Sequence, residues 1–226
     1  MSEEPSPRDK EHSELMRASE QRRLQQQSRL PSGTRGTHRL STFVESPGNA
    51  DAYRAARYYA GLDKDLTPFD SECIEARNLS HHFITFYGNP GTGKTHLALA
   101  IAWEKLLNNT SVLYWQAEEF LDALRHSFNV SYGDATQTIL KHVKQVRIMV
   151  LDDLGAHQST GWALAKLDAI IDYRYINQRL TVFTTNVSPM ELPARIASRL
   201  AEGQVCGLKG DDYRRIKAKR PEIQGG

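Results

Sequence analysis

Five short apolar runs punctuate the chain from residue 82 onward: HFITFY (82–87), SVLYW (111–115), RIMVLD (147–152), LTVFTT (180–185) and QVCGL (204–208). Each is nearly continuous and too short for a buried helix, which predicts strands covered on both faces. Around them apolar residues recur at helical spacing, predicting helices from about residue 49 to 60 and over 94–107, 117–128, 135–146, 161–176 and 190–202. Short strands alternating with helices of ten or more residues predict a parallel sheet between two helical layers, so the fold class is α/β with three layers. No internal repeat interrupts this order.

The first 40 residues have a different texture. Glu, Arg, Gln and Ser dominate, and Leu15, Met16, Leu24 and Leu30 are nearly the only large apolar side chains, too few for a core of their own. EHSELMRASEQRRLQQQSRL holds good helix formers and stops at Pro31. The chain therefore divides into a polar arm over 1–40, helical or disordered, and a single domain over 41–226. The arm is either a solvated tail or a helix that docks on a partner through Leu15 and Met16. The domain begins with a short extended piece and a Pro47-Gly48 turn.

Composition narrows the function classes. The chain has 226 residues, enough for one domain with a real core, and 29 basic against 27 acidic residues leave a net charge of only +2. Any contact with nucleic acid must come from local patches. Cys73 and Cys206 lie far apart without metal-ligand spacing, which fits a reducing cytosol and argues against a disulfide framework or structural zinc. No stretch approaches the roughly 20 apolar residues of a membrane helix, and the N-terminus lacks the apolar core of a signal peptide. A cytoplasmic protein with no membrane partner is expected.

The strand at 82–87 leads directly into GNPGTGKTH. Gly88, then four residues, then Gly93-Lys94-Thr95 matches GxxxxGK[ST] between a strand and a helix, the context that motif requires. Glycines let backbone N–H groups converge on phosphate oxygens, and the new helix adds the positive end of its dipole. Gly88, Asn89, Pro90, Gly91, Thr92, Gly93, Lys94, Thr95 and His96 are thus the expected nucleotide-binding residues, with Lys94 on the outer phosphates and the Thr95 hydroxyl on Mg²⁺. RIMVLDD supplies the second magnesium anchor. Two carboxylates ending an apolar strand need a cation or donors, and Asp152 is expected at the metal with Asp153 placed to orient the attacking water. Asn186, at the end of LTVFTT, either senses the γ-phosphate or lytic water or caps a helix.

With GNPGTGKT, LDDLG (151–155), TTN (184–186), SRL (198–200) and GDDYR (210–214) in this order, the chain from about residue 40 to its end resembles the AAA+ ATPases of the DnaC type. These are helicase loaders, and the transposition ATPases of the IstB type are their relatives. The resemblance implies an ASCE-type sheet, ATP with Mg²⁺, and subunits assembled side by side. It also implies that Arg199 of SRL is an arginine finger acting in trans and that Arg214 of GDDYR is a second sensor. Arg195, one helical turn earlier, shares Arg199's face and can exchange roles with it. After the last strand only about 18 residues remain, so no full C-terminal lid domain is expected. Asp153 stands where many AAA+ proteins carry Glu, and its shorter reach is the reason to expect slow turnover.

Two function readings follow from the resemblance: a loader that places a hexameric replicative DNA helicase on single-stranded DNA, or an IstB-like transposition accessory ATPase that binds duplex DNA and recruits a transposase. A small-molecule kinase is disfavoured by SRL and the short C-terminal end, and an assembly module with Asp153 idle is a further rival. Basic and aromatic residues between the second and third strands (Arg125, His126, Phe128, Tyr132, Lys141, His142, Lys144) suit a single strand of DNA, as plain amphipathic helices would also look. RRIKAKR (214–220) is a second basic cluster.

Overall fold

A computed structural model of the chain describes residues 7–63, 82–129, 133–155 and 161–218. Five parallel strands form one sheet: β1 (Phe83–Gly88), β2 (Val112–Gln116), β3 (Ile148–Asp152), β4 (Leu180–Thr185) and β5 (Gln204–Leu208), in the order β2-β3-β4-β1-β5. The register aligns the carboxyl ends, with Gln116 beside Asp152, Leu151 beside Phe183, and Tyr87 beside both Thr185 and Gly207. The functional ends of β1, β3 and β4 therefore open on one crevice, as expected of a parallel α/β sheet.

Alternate side chains of each strand feed two cores. Ile84, Phe86, Val112, Tyr114, Ile148, Val150 and Val182 pack with α2 (Ala50–Ala60) and α3 (Lys94–Leu107). Phe83, Leu113, Trp115, Met149, Leu151 and Phe183 pack on the other face with α4 (Ala117–Asn129), α5 (Gly133–Gln145), α6 (Gly161–Ile176) and α7 (Ala194–Ala201). Full burial of each such side chain stabilises the fold by about 1.5–3 kcal/mol before entropy is counted. Strands β1 to β4 are largely covered on both faces, whereas the edge strand β5 differs from the expectation: it buries Cys206 and Leu208 and leaves Val205 and Gly207 exposed on its other face.

The helix expected over 190–202 is broken. The chain makes a 3-10 turn at Pro189–Glu191, runs extended through Leu192 (ψ 162°) and starts α7 after Pro193. Proline disfavours helical backbone in the residue before it, and this outweighs the amphipathic pattern of the segment.

The packed unit also begins before residue 41. Helix α1 (Pro7–Gln27) ends with Leu24 buried, and Leu30 and Leu40 join the same core beside α3. These leucines cannot close a core alone, so they borrow the domain's. Trp103 Nε1 donates to Thr34 Oγ1 at 3.0 Å, and Arg39 pairs with Glu104 at 2.5 Å. Leu15 and Met16, further up α1, stay exposed. Among the described residues no helix is long and apolar enough to cross a membrane.

Candidate nucleotide-binding site

The loop from Gly88 to Gly93 joins β1 to α3, and Gly91 (φ 80°) and Gly93 (φ 101°) hold left-handed backbone that favours glycine. The two positions are also crowded. A Cβ on Gly91 would lie 2.0 Å from Asp212 Oδ1, and one on Gly93 would lie 2.7 Å from the Phe43 ring. Residues 212–213 wall one side of the loop, where the Tyr213 N–H donates to Gly91 O at 3.1 Å. Phe43, stacked on Tyr53 with centroids 5.4 Å apart, walls the other.

Lys94 is buried, and its Nζ donates to Gly88 O and Asn89 O, each at 2.8 Å. Burial pushes the ammonium below the ordinary lysine range, the nearby Asp153 and Asp152 oppose that shift, and Arg214 adds to it. Asn89 O also accepts from Thr92 Oγ1 at 2.8 Å, while Pro90 is exposed at the tip. The first turn of α3 carries no acidic residue, so its N–H groups and dipole are left for an anion. The glycine cradle and buried lysine fit a triphosphate.

His96 stands apart from the rest of the loop. Its Nε2 donates to Arg39 O at 2.8 Å, and its ring meets His38 (5.0 Å) and Phe43 (5.3 Å). The side chain anchors the segment arriving from the arm.

Asp152 is 3% exposed, yet it has three hydroxyl donors. Thr95 Oγ1 (2.9 Å) and Thr184 Oγ1 (2.5 Å) donate to Oδ1, and the Tyr114 hydroxyl donates to Oδ2 at 2.8 Å. Thr95 and Asp152 thus bring together the hard oxygen donors that Mg²⁺ takes. One residue on, Asp153 leaves the strand in left-handed backbone (φ 56°), which Asp tolerates better than most side chains. Its N–H donates to Thr184 Oγ1 at 2.8 Å, and its exposed carboxylate accepts from Asn186 Nδ2 at 2.6 Å. Asn186 is no helix cap, since Ser188 caps the following turn. Asp153 and Asn186 instead form a pair at the crevice mouth.

Arg199 is held on the α6/α7 surface. Its Nε donates to Asp172 Oδ1 at 2.8 Å, its Nη1 to Glu202 Oε1 at 3.0 Å, and its guanidinium lies 4.5 Å from the Tyr175 ring centre. Arg195 pairs with Asp168 at 3.1 Å but is 84% exposed. Neither has a partner in the phosphate loop of its own chain among the described residues.

Of the residues expected to meet DNA, Arg125 pairs with Asp122 at 2.6 Å, Lys144 stands 5.0 Å from the Tyr173 ring, and His126, Lys141 and His142 are exposed. Tyr132 and the Phe128 side chain lie outside the described residues, as do Cys73 and residues 219–226. Cys206 is buried, and burial pushes its thiol up to about 12.

Reading the sequence did not single out Tyr114, Thr184, Phe43 or Asp212. Thr184 was visible within TTN. Asp212 was likewise visible within GDDYR, whereas Tyr114 offered only one polar tip inside an apolar strand and Phe43 offered no local signal.

A β2-β3-β4-β1-β5 parallel sheet, with a phosphate loop after its inner strand β1 and paired acidic residues ending β3, defines a P-loop nucleotide-binding protein of the AAA+ class. Residues 77–196, just over half of the chain, match the family described as IstB-like ATP binding protein, and the chain belongs to that family. The replicative helicase loader DnaC of Escherichia coli K12 is 29% identical over 180 residues, 78% of this chain and 67% of that protein. A crystal structure of the DnaC helicase loader superposes with TM-score 0.58 at 25% identity, covering 77% of this chain and 98% of that one. The replication initiator DnaA bound to AMPPCP and single-stranded DNA shares the fold, with TM-score 0.67, 20% identity, and coverage of 87% of this chain and 58% of that one. The chain is a DnaC-type AAA+ ATP-binding protein.

Proposed function

We propose that this chain loads a replicative DNA helicase onto single-stranded DNA and hydrolyses ATP slowly as the timing step. The observation that carries the reading is the pairing of Asp153 with Asn186 beside a buried, triply hydrogen-bonded Asp152, in a chain related to DnaC loaders. Thr95 and Asp152 would hold the Mg²⁺, whose chemistry is to neutralise phosphate charge. Lys94 binds the outer phosphates. Asp153, steered by Asn186, accepts a proton from the attacking water, and its reach, a methylene shorter than Glu, keeps turnover low. Arg199, or the more exposed Arg195, reaches the site of an adjoining subunit, and Arg214 senses the nucleotide within its own. The helicase is held by the arm, and single-stranded DNA by the basic surface of α4 and α5.

The family match favours a second reading, an IstB-like accessory ATPase that binds duplex DNA and recruits a transposase. A pull-down of replicative helicase with full-length and arm-deleted protein separates the two, alongside ATPase assays with single-stranded and duplex DNA. Helicase capture that needs the arm, with stimulation by single strands, supports loading. No capture, with stimulation by duplex alone, supports transposition. Alanine at Arg199 or Arg195 should leave ATP binding intact and lower stimulated hydrolysis by about a thousandfold if that residue is the finger. Loss of ATP binding would place the arginine in its own subunit's pocket instead.

A further inference from the structure

Tyr114 lies on the same sheet face as Asp152, because Gln116 is the register partner of Asp152 and side chains two residues apart share a face. Among the described residues it is the sole donor to Asp152 Oδ2, while Thr95 and Thr184 share Oδ1. Thr95 is the hydroxyl that a cation would engage. Thr184 and Tyr114 are then the groups that fix the plane of the carboxylate, one at each oxygen.

The same residue is gripped at its backbone by the arm. Strand β2 is an edge strand, and the Tyr114 N–H donates to Ser28 O at 2.8 Å. Ser28 is fully buried; its hydroxyl donates to Gln25 O at 2.7 Å and accepts from the Leu30 N–H at 3.2 Å. Leu30 enters the core, and the Arg29 guanidinium lies 3.4 Å from the Trp115 ring centre. The exit of α1 is thus clamped against the strand that carries the buttress of Asp152.

We propose that Tyr114 is a positioning residue whose phenol sets Asp152 for the divalent cation and whose backbone makes that setting depend on the docking of residues 28–30. This rests on the ATP and Mg²⁺ reading above and adds a regulation to it. A partner that draws α1 away from β2 loosens Asp152 without touching the phosphate loop.

The test is binding of a fluorescent ATP analogue to the full-length chain across a Mg²⁺ series and in EDTA. Removing a hydrogen bond that orients a metal ligand costs about 10–100-fold in metal affinity, so Tyr114→Phe should need at least about tenfold more Mg²⁺ and bind as wild type in EDTA. An unchanged Mg²⁺ requirement overturns the proposal, as does equal weakening with and without Mg²⁺, which would make Tyr114 a support of the whole fold. The pair Arg29→Ala with Leu30→Ala should raise the Mg²⁺ requirement in the wild-type background and add little to Tyr114→Phe. Full additivity in the two backgrounds overturns the link to the arm. Wild-type protein that binds no ATP overturns the function reading and this inference with it, whereas wild-type binding with an unmoved Tyr114→Phe overturns this inference alone.

Discussion

Arg174 should be the most costly basic residue in the domain to remove, although it touches no part of the nucleotide site. It is fully buried on α6. Its guanidinium donates to Thr181 Oγ1 (2.8 Å), Val143 O (2.7 Å), Val146 O (3.0 Å), Arg147 O (3.4 Å) and Leu180 O (2.7 Å). No acidic side chain pairs with it among the described residues, and burial pushes it down to about 9. Carbonyls at the end of α5 and the starts of β3 and β4 take the place of a counter-ion. Arg174→Met keeps much of the stem and removes all of these donors. Hydrogen bonds to a charged group contribute about 1.5–3 kcal/mol each, while relief of the cation's desolvation offsets several kcal/mol. The net expectation is a loss of about 3–5 kcal/mol, the usual cost of breaking a buried charged network. That is a large share of a stability of about 5–15 kcal/mol. Urea unfolding should show a lower midpoint with an unchanged slope, and Arg174→Lys should recover less than half of the loss. A loss below about 1 kcal/mol would refute the reasoning, since the carbonyls would then be satisfied without the guanidinium.

Other outcomes follow from the site. His38 and His96 are both held below the ordinary histidine range, chiefly by burial. The unfolded chain therefore binds more protons near its own pKa of about 6.5, and stability should be full above that pH and fall as pH drops through it toward the folded values. His96→Gln should flatten part of that fall in thermal melts taken between pH 7 and 5. Gly91→Ala must fit a Cβ against Asp212 in left-handed backbone, so ATP affinity measured by fluorescence should drop about 5–150-fold, as expected when a loop costs 1–3 kcal/mol of strain. Asp153→Asn should leave ATP binding intact and remove most hydrolysis, about 10²–10⁴-fold for a lost general base, in a phosphate-release assay. Retained hydrolysis would move the base elsewhere.

Periodicity carried most of the architecture because strands β1 to β4, buried on both faces, are short and mostly apolar; β5, with one face exposed, looked the same only because its exposed positions are Val205 and Gly207. KTHLALAIAWEKLL and GWALAKLDAIIDYRYI became α3 and α6 with the ends read from the sequence. Asp152 and Asp153 were legible for a related reason, since carboxylates at the end of an apolar strand demand partners. Tyr114 was not legible. A tyrosine in an apolar strand reads as core, and its partner is 38 residues away on a neighbouring strand. Arg174 likewise reads as one more basic residue in the last turn of a helix, because the carbonyls that hold it come from other elements. The docking of the arm depended on Leu24 and Leu30 finding a core built by residues far along the chain. Pro193 was visible, but the amphipathic spacing around it obscured the break.

Leu24 fixes one end of α1 on the domain, and this turns the arm's sequence spacing into a direction. Leu15 precedes Leu24 by nine residues, about half a turn out of phase at 3.6 residues per turn. Leu15 therefore points away from the domain and stands about 14 Å along the helix axis from the anchor, at 1.5 Å per residue. Whatever grips that end meets a stiff boom with a set azimuth. Removing three or four residues between the two leucines keeps Leu15 on roughly its present side and shortens the boom, whereas removing two swings it by about 200°.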